Sequence, residues 1–158
     1  MLEQQGKLKA VVTQNVDGLH QMAGSKTVYE LHGSTFQNYC MNCGKEYALE
    51  YVLSPAKSRG IVPICEICGG IVRPNVVLYE EQLDDAVTKE AVRAISAADT
   101  LIVGGTSLAV CPAAGLLQYF GGKHIVLINR SETPYDGKAD LVIHDSIGKV
   151  MSEALCNK

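Results

Sequence analysis

The protein is a chain of 158 residues, 47% apolar and 20% charged, with a formal net charge of −3. That is long and apolar enough for a domain with its own core. The mixed, slightly acidic charge argues against a nucleic-acid partner, which selects a basic surface. The lack of Trp and the few other aromatics argue against stacking on single strands. No apolar run approaches the length of a bilayer span, and the polar stretch 1–9 does not have the form of a secretory leader. The expected setting is therefore a reducing cytoplasm, with no membrane partner.

Along the chain, Ala10-Val11-Val12 is the first predicted strand and runs into Thr13-Gln14-Asn15. Residues 27–30 form a second, followed by Leu31-His32-Gly33. The segment 36–73 breaks the rhythm: it has little periodic apolar content, one helical candidate over 47–53 closed by Pro55, and four cysteines. Pro74 marks a return to extended chain, with Val76-Val77-Leu78 as the extended run. Leu83, Val87, Ala91, Ala94, Ile95 and Ala98 then share one face of a helix. Leu101-Ile102-Val103 is a strand leading into Gly104-Gly105-Thr106-Ser107, and Pro112 opens a helix that runs to Tyr119 and stops at Gly121-Gly122. Residues 125–128 lead into Asn129, and 141–143 lead into Asp145-Ser146, which cap a last helix from Ile147 toward Leu155. Short β-branched runs alternating with helices are the pattern of strands buried on both faces of a parallel sheet. The expected fold is α/β: a partial doubly wound (Rossmann-like) parallel sheet made of 1–35 and 74–158, with an inserted zinc-ribbon subdomain over 36–73.

The insert owes its reading to Cys40-x2-Cys43 and Cys65-x2-Cys68, separated by twenty-one residues. Two tight Cys-x2-Cys turns can face each other and supply the four thiolates of a tetrahedral Zn²⁺ site. Four sulfurs leave no position for water, so the metal is expected to be structural. Two disulfides are the competing reading, and they belong to an oxidising compartment. Cys111 and Cys156 stand apart and are expected to be small apolar fillers.

Four polar strings fall at the carboxyl ends of predicted strands: Gln14-Asn15 with Asp17, Gly105-Thr106-Ser107, Asn129, and Asp145-Ser146. In open α/β sheets ligands bind there, and a close-approaching Gly-Gly backbone with neighbouring hydroxyls suits phosphate and ribose oxygens. These strings are expected to converge on a nucleotide crevice. His32, at the junction between the sheet and the insert, is the candidate general base; a packed structural histidine is the alternative. His20, His124 and His144 have no comparable setting.

Together these strings resemble the sirtuin family of NAD-dependent protein deacylases. The resemblance is carried by Thr13-Gln14-Asn15-Val16-Asp17-Gly18-Leu19-His20, Leu31-His32-Gly33, both cysteine pairs, Pro74-Asn75-Val76-Val77, Gly105-Thr106-Ser107-Leu108, Pro112-Ala113-Ala114 and Ile128-Asn129. It implies that His32 takes a proton from a ribose hydroxyl and that Asn15 and Asp17 line the nicotinamide pocket, with Gln14 at the ribose. It further implies that Gly105, Thr106, Ser107 and Asn129 hold the adenosine half of NAD, with Ile147 near the adenine. Val76, Val77 and Leu78 would form one side of the channel for an acylated lysine of a protein or peptide. Two departures stand out. The family's flexible glycine after the Val-Val strand is Glu80 here, and its opening Gly-Ala-Gly-x-Ser loop and Gly-Ile-Pro-Asp-Phe-Arg segment have no counterpart. The expectation is a chain that supplies part of an NAD pocket and binds NAD poorly by itself: a truncated gene product, a fragment, or half of a split protein whose missing amino-terminal segment is supplied by another chain. The alternatives to deacylation are an inactive zinc-containing remnant that binds a partner, and NAD-dependent ADP-ribosyl transfer.

Overall fold

The computed structural model describes residues 2–109 and 113–156. The chain divides into two compact units, Met1–Thr88 and Lys89–Lys158.

In the first unit, β1 (Val11–Thr13) and β2 (Val28–Glu30) pair in parallel, joined by a chain that includes the one-turn helix α1 (Leu19–Met22). Residues 2–6 form turns, and the Glu3 carboxylate accepts the amides of Lys26 and Thr27 just ahead of β2. After β2 come β3 (Gly33–Cys40), β4 (Glu46–Ala48), α2 (Leu49–Leu53) and a 3-10 turn at Pro55–Lys57. The small hairpin β5 (Ser58–Arg59) and β6 (Val62–Pro63) follows, then β7 (Val72–Val76). An antiparallel sheet in the order β4-β3-β7 carries the cysteine module, whose core is Cys40, Tyr47, Cys65 and Val72, flanked by Tyr51 and Val52.

Two boundaries differ from the sequence reading. The helix expected over 47–53 begins only at Leu49, because Tyr47 pairs with Asn38 across β3–β4. The extended run expected at Val76-Val77-Leu78 lies earlier, at Val72–Val76. Pro74 sits inside it, tolerated because β7 is an edge strand with a register shift opposite Ser34 and Asn38.

The loop after β7 is held by charge. Glu81 accepts two bonds from the Arg73 guanidinium, at 2.7 and 3.1 Å, and a third from the Leu78 amide at 2.8 Å. Arg73 first, and then that amide, hold the Glu81 carboxyl down at about 2. Glu80 beside it has a φ of +73°, the left-handed region that favours glycine, so the backbone keeps a glycine-like turn where the side chain is glutamate. The Glu81 contribution is present above the ordinary carboxylate value of 4.5 and is lost as pH falls toward 2. Thermal melts of Glu81→Gln between pH 5 and 2.5 should therefore fall less steeply with acid than those of the parent; parallel curves would refute the assignment.

α3 (Asp85–Ala97) opens at Asp84, whose Oδ1 accepts the amides of Ala86 and Val87 at 2.8 and 2.9 Å, and it buries Ala91 and Ile95. In the second unit β8 (Thr100–Gly104), β9 (His124–Ile128) and β10 (Leu141–Ile143) form a parallel sheet in the order β10-β9-β8. α4 (Ile147–Cys156) closes the described chain. Leu127 and Ile128 are the most deeply buried large side chains of this unit. The helix expected up to Tyr119 is a 3-10 helix, Ala113–Tyr119, which contains Gly115, a weak α-helix former. Pro112 and Cys111 lie outside the described residues. Cys156 is exposed, not a filler, since it ends α4 on the solvent side. Among the described residues no helix is long and apolar enough to cross a membrane.

Candidate functional site

Each Cys-x2-Cys pair folds into the same knuckle. The Gly44 amide donates to the Cys40 carbonyl and the Gly69 amide to the Cys65 carbonyl, both at 2.9 Å, while the Cys40 and Cys65 amides donate to Lys45 and Gly70. The knuckles face each other across the module, with Cys40 Sγ 3.4 Å from Cys68 Sγ and Cys43 Sγ 3.6 Å from Cys65 Sγ. All four sulfurs lie within 4.8 Å of one another. A tetrahedron with metal–sulfur arms of about 2.3 Å has edges of about 3.8 Å, so the set fits one zinc ion.

The electrostatics ask for that cation. Burial pushes the Cys65 thiol up, but the Tyr47 hydroxyl and the amides of Cys68 and Ile67 outweigh it and bring the group to about 6. The Gly70 amide favours the Cys68 thiolate, yet the sulfurs of Cys40, Cys43 and Cys65, together with burial, push it up to about 12. Four sulfurs this close cannot all ionise without a positive charge among them, and zinc supplies it. Cys40 and Cys65 are buried, at 1% and 2% exposure, whereas Cys43 and Cys68 face solvent.

The structure brings Gln14 and His32 together. The His32 Nδ1 lies 3.0 Å from the Gln14 carbonyl oxygen. A carbonyl only accepts, so Nδ1 carries the proton in the neutral ring and Nε2 keeps a free lone pair. The His32 carbonyl accepts the Val77 amide at 2.9 Å, which ties the residues expected to line a peptide channel to the histidine. Val77 and Leu78 follow β7, and Val76 ends it. Gln14 is half-buried, while Asn15 and Asp17 are exposed. Their loop is fixed by the Asn15 amide on Thr13 Oγ1, the Leu19 amide on Asp17 Oδ1, and the Thr35 amide and hydroxyl on the Val16 carbonyl.

Gly33 holds this arrangement. At φ +76° a Cβ would lie 2.0 Å from the Asn75 carbonyl oxygen. The left-handed backbone alone costs a residue with a side chain about 1–2 kcal/mol. The clash is with backbone of the β3–β7 pairing, which cannot yield without breaking the ladder. Gly33→Ala should lose more in denaturant unfolding than the roughly 1–2 kcal/mol of the left-handed backbone alone; an unchanged midpoint would contradict this geometry.

In the second unit the strand-end residues gather at the carboxyl ends of the parallel sheet. The Gly105 amide donates to the Ile128 carbonyl and the Asn129 amide to the Ile143 carbonyl, so the loops after β8, β9 and β10 are stitched together. Thr106 Oγ1 accepts the Leu108 amide, Ser107 Oγ accepts the Ala109 amide, and Asn129 Nδ2 donates to the Ser131 carbonyl. Asp145 Oδ1 accepts the Ser146 amide at 2.7 Å. Ile147 lies over the glycine pair: a Cβ on Gly104 would meet Ile147 Cδ1 at 2.1 Å. These strand ends present hydroxyls, amides and one apolar side chain, with Ile147 filling the space over Gly104.

Sequence reasoning missed two groups. Tyr47 donates to Cys65 Sγ at 3.0 Å, where only a helical position was expected. His144 faces the Asn129 carbonyl through Nδ1 and Asp136 through Nε2, and Thr133 donates to the same Asp136. Neither has a spacing signature.

The model of the Sir2 family matches residues 1–112. The chain is 64% identical over 154 residues to an NAD-dependent protein deacetylase of Clostridium acetobutylicum, covering 98% of this chain and 62% of that protein. It is 63% identical over 155 residues to an NAD-dependent protein deacetylase of Clostridium perfringens, with the same shares covered. The chain thus spans less than two thirds of the length of these relatives. Among solved structures, one described as Sir2 bound to acetylated peptide aligns with a TM-score of 0.89 at 40% identity, covering 97% of this chain and 66% of the other. A Sir2 complex with p53 peptide and NAD+ aligns at 0.88 and 40% identity, covering 99% and 67%.

Proposed function

Because the chain belongs to the Sir2 family, we propose that it is an NAD-dependent protein-lysine deacylase, transferring an acyl group from lysine to ADP-ribose with release of nicotinamide. The observation that carries the reading is His32, held by the Gln14 carbonyl with Nε2 free to take a proton. The relatives named as NAD-dependent protein deacetylases support it.

NAD, when bound, supplies an activated ribose carbon for the acyl oxygen as nicotinamide leaves. The residues present fit such a ligand: Gly105 carries no side chain over the strand ends, and Thr106, Ser107 and Asn129 place hydroxyls and an amide beside it. In this reading Asn15 and Asp17 contact the nicotinamide end and Gln14 the ribose. Gly105, Thr106, Ser107 and Asn129 hold the adenosine half, with Ile147 against the adenine. His32 Nε2 takes the proton of a ribose hydroxyl. Val76, Val77 and Leu78 border the acyl-lysine peptide, which adds as a strand beside the free edge of β7. The NAD-binding part comprises 1–35 and 74–158 and the zinc part 36–73, in a cytoplasmic setting.

The test is an assay with NAD and an acetyl-lysine peptide, with the corresponding amino-terminal segment of the Clostridium acetobutylicum relative added in trans or fused. Equal amounts of nicotinamide, free lysine peptide and acetyl-ADP-ribose support the reading. ADP-ribose appearing on protein without deacylation would favour ADP-ribosyl transfer. Zinc-loaded, folded protein with neither product would favour the inactive remnant.

A further inference from the structure

We propose that the Tyr47 hydroxyl is a dedicated hydrogen-bond donor to the Cys65 thiolate and sets how tightly the four-cysteine centre holds its metal. The inference rests on the four cysteines binding zinc. Tyr47 is buried, with 7% of its surface exposed, and its oxygen lies 3.0 Å from Cys65 Sγ. The same oxygen accepts the Glu66 amide at 3.2 Å, so its acceptor side is occupied and its single proton is directed at sulfur.

The ring is held in that pose from several sides. Tyr47 sits on β4 opposite Asn38 of β3, and its ring centroid is 4.1 Å from that of Tyr51. Lys45 Nζ lies 5.2 Å from the Tyr47 ring centroid and pairs with Glu66 at 2.7 Å, fixing the residue whose amide binds the hydroxyl. Cys65 is the one cysteine sulfur that receives a hydroxyl donor among the described residues.

The physical consequence follows from charge. Four thiolates around one Zn²⁺ leave a net charge of about −2 at the centre, and Cys65 carries its share in a buried position. A donated proton draws electron density from that sulfur and eases repulsion among the four. It also makes the sulfur a poorer target for protonation and loss. Partners of metal ligands at this distance are typically worth a factor of about 10–100 in metal affinity.

Tyr47→Phe keeps the ring and its packing and removes only the donor. In competition with a chelator of known affinity, the variant should still take up one zinc per chain, with affinity lowered about 10–100-fold. Tyr51→Phe is the control: its hydroxyl donates to the Ile64 carbonyl at 2.8 Å, in the same module but not to sulfur, and its zinc affinity should match the parent. With Co²⁺ in place of zinc, the sulfur-to-metal charge-transfer band should move to lower energy in Tyr47→Phe alone, because a donated hydrogen bond lowers the sulfur lone-pair energy. Equal losses in the two variants with an unmoved cobalt band would overturn the proposal and make both tyrosines packing elements. Unchanged affinity in Tyr47→Phe would overturn it outright. A parent protein that takes up no zinc would overturn the metal assignment itself, and this proposal with it.

Discussion

Replacing Cys65 with serine is expected to empty the metal centre and unfold the module around it. Metal analysis should find about one zinc per chain in the parent and none in the variant. The loss is large because the module has little else to hold it. Its buried core is Cys40, Tyr47, Cys65 and Val72, so two of the four core side chains are themselves metal ligands. Structural zinc bound by four thiolates contributes about 10–16 kcal/mol at neutral pH, more than a core of this size can replace. Amides of β3, β4 and β7 should exchange rapidly with solvent in Cys65→Ser, and in the parent treated with a strong chelator. The β8–β9–β10 sheet belongs to the other compact unit and should keep its protection. Zinc retained at full stoichiometry in Cys65→Ser would refute the ligand assignment.

The parts of this fold that were legible in the sequence are those whose signal is local. Leu141–Ile143 and His124–Ile128 are short β-branched runs with a polar residue at the carboxyl end, and they are strands. The cysteine pairs announced their own geometry, because a Cys-x2-Cys knuckle is set by the backbone between the two residues. What was illegible depends on contacts across the chain. Tyr47 has helix-compatible neighbours, yet its place in β4 follows from a bond to a sulfur eighteen residues away and a strand partner in β3. β7 begins four residues earlier than the apolar run implied, because its pairing with β3 tolerates Pro74 at an open edge. His32 was legible as a candidate, but the bond that fixes its tautomer comes from Gln14, eighteen residues earlier, and is a product of the fold.

His32→Ala is expected to abolish deacylation while sparing the zinc content and the fold. Its imidazole is held by the Gln14 carbonyl on Nδ1, leaving Nε2 as the one lone pair of the ring available to a substrate proton. A positioned general base contributes about 10²–10⁴-fold, so activity in the protein supplied with the relatives' amino-terminal segment should fall by at least that range. The role needs the neutral ring, since protonation at Nε2 removes the lone pair. His32 lies well separated in sequence from the nearest ligand, Cys40, and alanine can follow the same backbone, so one zinc per chain should remain. Exchange of labelled nicotinamide separates the steps. Cleavage of nicotinamide precedes the proton transfer assigned to His32, so His32→Ala should retain measurable exchange. Substitutions at Asn15 or Asp17, assigned to the nicotinamide end, should depress exchange and deacylation together. A His32→Ala protein that deacylates at the parent rate would remove the histidine from the mechanism, and the Gln14–His32 contact would then be structural.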